Sequence, residues 1–488
     1  MANGTSDGLS ICIDDIVKRL KGLTPTSTDG NIFKVPEHLR SVNPNAYDPF
    51  IIAIGPYHRD KKDFSMMEDH KMRFLKHFLE RRSEREEDVK KYVEALRALE
   101  REARNHYADR AADIISDEFL KMMLLDGCFI LMLLHRFKEK LMPRTDSNDN
   151  QERGNLFSGL IIKRLGRDLL LVENQLPFCV LQKLFSMIDR EGNSSLEDMI
   201  LHFFSYSVFP DPRLSKIYSE SDRKGSSETK HLLSFIRDKW LLRCPQKVSG
   251  GNDSAKEICW GSISCGNYSG SINCGTGPIK PQPSQNNRKD LKFMRCATEL
   301  KEAGVKFRKG KEDSLFAIKF KNGVMEIPRL EIRGETESIF RNLIVYENYF
   351  TNEINTKSGH VISDEINTKS RHVISDYMKF MDCLINSQND VELLCQCNIL
   401  HNCLGDDKTV ANMFNSIGDF VTLSPDNYYF DIFIKVNEHC GQKRHKWIAH
   451  LRHKYFYSPW AFISFFVAVL LLLFTLTQTV YSALAYYK

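Results

Sequence analysis

The sequence has no acidic residue after Glu438, no H-E-x-x-H, no paired C-x-x-C, no G-x-x-x-x-G-K-[ST] and no G-x-S-x-G. These gaps remove positive support for a zinc protease, a zinc ribbon, a phosphate-binding loop and a serine hydrolase. The glycines from Gly261 to Gly277 lack the strand and helix that a dinucleotide-binding G-x-G-x-x-G needs around it. The opening MANGTSDGLSICIDDIVKRL has no cationic start followed by an apolar core, so no cleaved signal peptide is expected. The 13 cysteines are odd in number and scattered, which argues against a dense disulfide framework and for mostly reduced thiols.

Long apolar runs are equally scarce, with one exception. Trp460 to Tyr481 carries no charge, and as a helix it would be roughly 33 Å long, enough for a hydrocarbon core of about 30 Å. A transmembrane helix is predicted over 460–481, with a short tail at 482–488. Phe119 to Leu134 is also apolar but contains Lys121, Asp126 and Gly127, which suits a buried core helix. Lys443, Arg444, Lys446, Arg452 and Lys454 precede the run and only Lys488 follows it, so the positive-inside rule predicts a cytosolic body. Against this, Asn3, Asn193, Asn252 and Asn267 stand in glycan acceptor patterns that an external body would expose. With 42% hydrophobic and 27% charged residues the body has material for a core. The net charge of +5 comes partly from the basic flank, and no nucleic-acid partner is expected.

The predicted fold is predominantly α-helical, α+β through a small β-hairpin, with a large globular body. A loose lead-in covers 1–30. Two lobes, 31–210 and 290–455, are expected to be joined by a loop-rich segment at 211–289 that is dense in Ser, Gly, Asn and Pro. Phe64, Met67, Lys71, Phe74, Leu75 and Phe78 follow helical spacing. Glu84 to Arg104 reads as one charged helix with Val89, Val93, Leu96 and Leu99 inward. Asp168 to Ile188 reads as two helical pieces meeting at Pro177. A helix from Asp290 to Ala303 closes at Gly304, and helices are predicted over 376–387 and 390–403. Asn322-Gly323 between two apolar runs is a strong hairpin signal. Asn352 to Ser363 is duplicated as Asp364 to Ser375, a twelve-residue tandem expected in a surface loop.

Taken in order, VPEHLR from Val35, IGPYH from Ile54, MEDHK from Met67, LDGCF from Leu125, ENQLPF from Glu173 and RNL from Arg341 form a set. With Asp390-Val391 and Ser458-Pro459-Trp460, the chain resembles the plant proteins grouped as domain of unknown function 247. The resemblance covers roughly Ile32 to Tyr481. It implies a plant membrane protein with one C-terminal span and no established enzymatic activity, some grass members being associated with self-incompatibility recognition. The tandem repeat and the segment around Cys259, Cys265 and Cys274 depart from the pattern.

Chemistry has few candidates. Asp126 and Glu173 are acids in apolar surroundings and, if paired, could act as acid and base; otherwise each is satisfied by backbone or arginine. His38, His58 and His70 lie near Glu68 and Asp69 in sequence but match no metal spacing, and His58 fits a fixed turn. Cys395, Cys397, His401 and Cys403 form a denser group of soft ligands, though residues two apart on a helix face apart. No catalytic, cofactor-binding or metal residue is assigned. Thr475, Gln478 and Ser482 share a face of the span, for a partner helix or for bonds to their own backbone. Two function classes remain: a membrane-tethered recognition or signalling protein with an unidentified protein partner, and a membrane-tethered enzyme using Asp126, Glu173 or a histidine.

Overall fold

The computed structural model describes residues 30–61, 64–80, 84–108, 111, 113–141, 159–188, 195–208, 229–241, 293–312, 314–357, 372–419, 421, 427–441 and 459–486. The lead-in, the acceptor asparagines, the basic flank 443–454, most of 211–289 and the middle of the tandem repeat lie outside them. Helices dominate, as expected. The first stretch holds α1 (Glu37–Arg40), α2 (Ser65–Glu80), α3 (Val89–Arg97), α4 (Glu100–Asn105), α5 (Ser116–Leu141), α6 (Gly159–Asp168), α7 (Phe178–Ile188), α8 (Leu196–Ser207) and α9 (Leu232–Leu241). Helix α5 is the central post. It is buried on every side from Phe119 to Leu134 apart from Lys121, because α2, α3, α7 and α8 all pack on it. Gly127 permits that closeness, since a Cβ there would stand 2.4 Å from Leu184 Cδ1.

The second stretch holds α10 (Ala297–Glu302), β1 (Lys306–Lys309), β2 (Lys319–Lys321), β3 (Val324–Ile327), β4 (Leu330–Ile332), α11 (Thr336–Lys357), α12 (Val373–Leu384), α13 (Gln388–Gln396), β5 (Leu400–Asn402), α14 (Asp407–Gly418) and α15 (Phe430–Gly441). The predicted hairpin is present. Strands β2 and β3 pair antiparallel across Asn322 and Gly323, with φ of 51° and 74°, as a primed turn requires. Strand β1 joins β3 in parallel, and β4 pairs in parallel with β5.

Several boundaries differ from the sequence reading. The charged helix breaks at Ala98-Leu99 into α3 and α4, with Tyr92, Leu96 and Ala103 inward. The expected 168–188 pair is instead α6, a non-helical stretch 169–177, and α7. Within 211–289, LLSFIRDKWL forms α9, whose Leu232, Leu233, Phe235 and Ile236 give it a buried stripe the polar surroundings obscure. The first residues of the repeat continue α11, and its last, Val373 to Ser375, are buried at the start of α12. The helix expected over 390–403 ends at Gln396. Asn398 takes a left-handed φ of 56°, and the Ile399 and Asn398 amides donate to Leu394 O and Cys395 O at 2.9 Å, a Schellman close. Gly304 closes α10 the same way, with Val305 N on Leu300 O at 2.9 Å.

One continuous apolar cluster runs from Ile32 to Cys440. Polar ties cross it. Asn342 on α11 accepts from Val172 N at 2.9 Å and donates to Ala46 O at 2.9 Å and Ser338 O at 2.7 Å. Ser338 Oγ also donates to Ala46 O, and Phe33 stacks on Tyr349 with centroids 3.7 Å apart.

Helix α16 (Pro459–Tyr486) contains Ile463–Leu484, 22 residues of mean hydropathy 2.2 with none buried, long and apolar enough to cross a membrane. Thr475 and Thr479 donate to Leu471 O and Thr475 O at 2.7 Å, so these hydroxyls bond within their own helix.

Asn342→Ala strips the Val172 amide of its buried partner, and we expect a loss of about 3 kcal/mol. A denaturant titration of the detergent-solubilised protein measures it.

Candidate functional site

Two non-helical segments, 50–58 and 169–177, lie side by side in the core. Helical amides satisfy one another, whereas these must find partners elsewhere or pay for burial. Side chains provide them. Asp168, fully buried at the end of α6, accepts from the amides of Phe50, Ile51 and Ile52 at 2.6–3.2 Å. Asn174 accepts from Ile54 N at 2.7 Å and donates to Ile52 O and Asp168 O at 3.0 and 2.9 Å. Gln175 donates to Leu169 O and Leu171 O at 2.8 Å and accepts from Leu233 N at 3.1 Å. Arg167 pairs with Asp168 at 2.9 Å, donates to the carbonyls of Asp48 and Asn45, and lies 3.8 Å from the Phe50 ring centroid.

Asp126 belongs to this frame. Its Oδ2 accepts from Gly55 N at 2.8 Å and its Oδ1 meets Lys71 Nζ at 2.6 Å. Lys71 also donates to Ala53 O at 2.6 Å and Glu68 Oε1 at 2.5 Å, so all three of its protons are placed. Burial raises the Asp126 carboxyl, partly offset by Lys71 and the Gly55 amide. Burial pulls the Lys71 ammonium down, and Asp126 and Glu68 more than reverse this, holding it charged. Gly55 has φ +70°, and a Cβ there would sit 2.8 Å from Gln175 O, so the loop tip must be glycine.

Glu173 and His58 do meet. Glu173 Oε1 accepts from Val35 N at 2.6 Å, and Oε2 pairs with Arg40 Nη2 at 2.6 Å. His58 Nε2 lies 3.1 Å from Oε2 without hydrogen-bond alignment, and its Nδ1 is 4.0 Å from Asp48 Oδ1. Asp48 is bound by Arg40 at 2.8 Å and by Lys61 at 3.1 Å. Burial alone would raise the Glu173 carboxyl, but His58, Arg40 and the Val35 amide outweigh it and hold it below the usual range.

The other candidates are dispersed. His38 is exposed on α1, Asp69 is exposed and His70 half-buried on α2, and none bonds to Asp126 or Glu173 among the described residues. Cys395 and Cys397 stay on the α13 end, while His401 and Cys403 move onto and beyond β5, where Glu331 of β4 joins them. A second group unites Glu102, His106 and Cys179; burial, reinforced by Glu102, pushes the Cys179 thiol up to about 12. Sequence reasoning missed Asp168, Glu347, Asp376 and Asp390 as buried acceptors. Glu347 accepts from Ser375 N at 2.9 Å, Asp376 from Tyr428 N at 2.7 Å, and Asp390 from Thr298 N at 2.8 Å. The available signal was an acid flanked by apolar residues, as in GRDLLLVENQ.

A family model described as "Plant protein of unknown function", DUF247, matches residues 32–474. The Arabidopsis thaliana UPF0481 protein At3g47200 is 29% identical over 93% of this chain and 86% of its own length. The Arabidopsis thaliana protein named Putative UPF0481 protein At3g02645 is 23% identical over 91% and 88% respectively. No solved structure matches.

Two outcomes separate scaffolding from catalysis at these acids. Asp126→Asn leaves Lys71 with Glu68 as its remaining carboxylate partner and should cost about 3 kcal/mol in a denaturant titration. Glu173 has a lowered folded-state pKa, so its stabilisation is present above its ordinary value of 4.5 and is lost as pH falls through the folded value. Melting temperature followed against pH should therefore drop below about pH 4.5, with a shallower drop in Glu173→Gln.

Proposed function

Because the chain belongs to the plant DUF247 family of unknown function, which covers residues 32–474, we propose that it is a single-pass, C-terminally anchored membrane protein whose helical body recognises a protein partner. The observation that carries the choice of recognition over chemistry is the commitment of the buried acids. Asp126 and Glu173, the two that sequence offers as an acid–base pair, hold backbone amides of Gly55 and Val35 and the cations of Lys71 and Arg40. A general acid or base needs a free lone pair or proton directed at substrate. These carboxylates spend theirs on the fold.

Anchoring rests on the unburied apolar helix 463–484. The basic residues between Lys443 and Lys454, with only Lys488 beyond the span, favour a body on the cytosolic side. The polar segment around Cys259, Cys265 and Cys274 and the tandem repeat at 352–375 depart from the family-like pattern, which fits a recognition role. The enzyme reading would regain weight from a substrate-dependent turnover that Glu173→Gln abolishes without unfolding the protein.

Protease treatment of sealed membranes, combined with glycosidase digestion, tests the topology. The expected outcome is a digested body with no N-glycan and a protected C-terminal fragment. A protected, glycosylated body would reverse the orientation and place recognition outside the cell.

A further inference from the structure

Strands β4 and β5 run parallel with Glu331 opposite His401, and Cys403 follows two residues later. Cys403 Sγ is 3.3 Å from Glu331 Oε1 and 3.8 Å from His401 Nδ1, and that nitrogen is 3.9 Å from the same Oε1. Donor atoms sharing one tetrahedral zinc are separated by roughly 3.3–3.6 Å, from Zn–S of about 2.3 Å and Zn–N or Zn–O of about 2.0–2.1 Å. The three donors thus outline one face of a tetrahedron, each edge within about half an ångström of ideal. We propose that Glu331, His401 and Cys403 bind a divalent transition-metal ion of the zinc class, with the fourth position open to water.

The backbone holds this arrangement without an ion. Cys403 N continues the β4–β5 ladder by donating to Ile332 O at 2.9 Å. Asn402 Oδ1 accepts from Leu404 N at 2.8 Å and Gly405 N at 3.2 Å, its Nδ2 donates to Asp407 at 2.7 Å, and Gly405 turns the chain at φ +86°. The ligands' places are therefore set by strand register and by a side-chain-locked turn. Thiolate, imidazole and carboxylate together favour zinc or cobalt over magnesium or calcium. On binding, the Cys403 thiol gives its proton to solvent and its sulfur lone pair to the ion, and thiolate plus carboxylate balance the ion's two charges. His401 is 50% exposed on its side chain, so an ion has access from solvent.

Arg333 is the competing cation. Its Nε and Nη2 lie 2.9 and 2.7 Å from Glu331 Oε1, so the guanidinium must shift to the other carboxylate oxygen when an ion arrives. That competition penalises ions which bind through oxygen alone and favours those that gain a strong bond to sulfur. The site does not depend on the recognition reading: it sits on different elements from the Asp126 and Glu173 frame.

Cobalt titration of chelator-stripped, full-length protein in detergent provides the test. One Co²⁺ per chain should produce a thiolate-to-cobalt near-ultraviolet band together with tetrahedral visible bands, and Zn²⁺ should displace it. Cys403→Ser should abolish the thiolate band, and His401→Ala should weaken binding about ten-fold or more. Cys397→Ser and Cys179→Ser should leave band and affinity unchanged. Thermal melts check that the exposed-site variants remain folded. Failure of the wild-type protein to give a thiolate band, or a band that survives Cys403→Ser, overturns the assignment.

Discussion

The fold depends on satisfying the amides of two core segments that are not helical. Residues 50–58 and 169–177 run through the interior, where each unpaired N–H or C=O would cost about 1–3 kcal/mol. A helix or a sheet would solve this internally. Here the side chains of Asp168, Asn174, Gln175 and Asp126 solve it, reaching partners 71 to 120 residues away in several cases. Each of these groups is itself buried, so each is costly unless bonded. The two needs are met together: carboxylates and amides that would be liabilities alone become the partners that buried loops require.

This exchange explains why the motif set has an enzymatic look without a nucleophile. Glu, Asp, His and Lys in apolar surroundings are what an active site needs, and equally what a buried loop junction needs. The difference lies in where the lone pairs go. Asp168 turns its carboxylate to three successive amides. Lys71 bridges a helix, a loop carbonyl and two acids. IGPYH, MEDHK, LDGCF and ENQLPF are thereby four sides of one junction, with Gly55 at its tightest point.

The legible parts of the sequence were those governed by local rules. The Asn322-Gly323 turn, the largely apolar post α5 and the stripe from Phe64 to Phe78 each follow from spacing within a few residues. Helix α9 hid inside polar surroundings, and the break at Ala98-Leu99 has no glycine or proline to announce it. The end of α13 hinged on one asparagine entering the left-handed region, which moved His401 onto a strand and Cys403 into the turn after it. For the acids, burial was readable from flanking Leu, Ile and Val, but the partner was not, because strand register and loop path bring Val35 to Glu173 and Glu331 to His401 only in three dimensions.

Register also separates the two polar groupings in kind. In the 126–173 junction the carboxylates of Asp126, Asp168 and Glu173 meet amides and cations inside the protein, and the buried Tyr57 and Tyr107 donate to Ile32 O and Gln175 O beside them. At β4–β5 three donors converge at the surface, two from paired strands and one from the turn after β5, with His401 and Cys403 exposed to water. A closed junction returns its polar energy to stability, whereas an open one keeps capacity for an added ligand. The same chemistry of Glu, His and a nearby cation therefore builds structure in one place and availability in the other, and the deciding variable is burial rather than residue type.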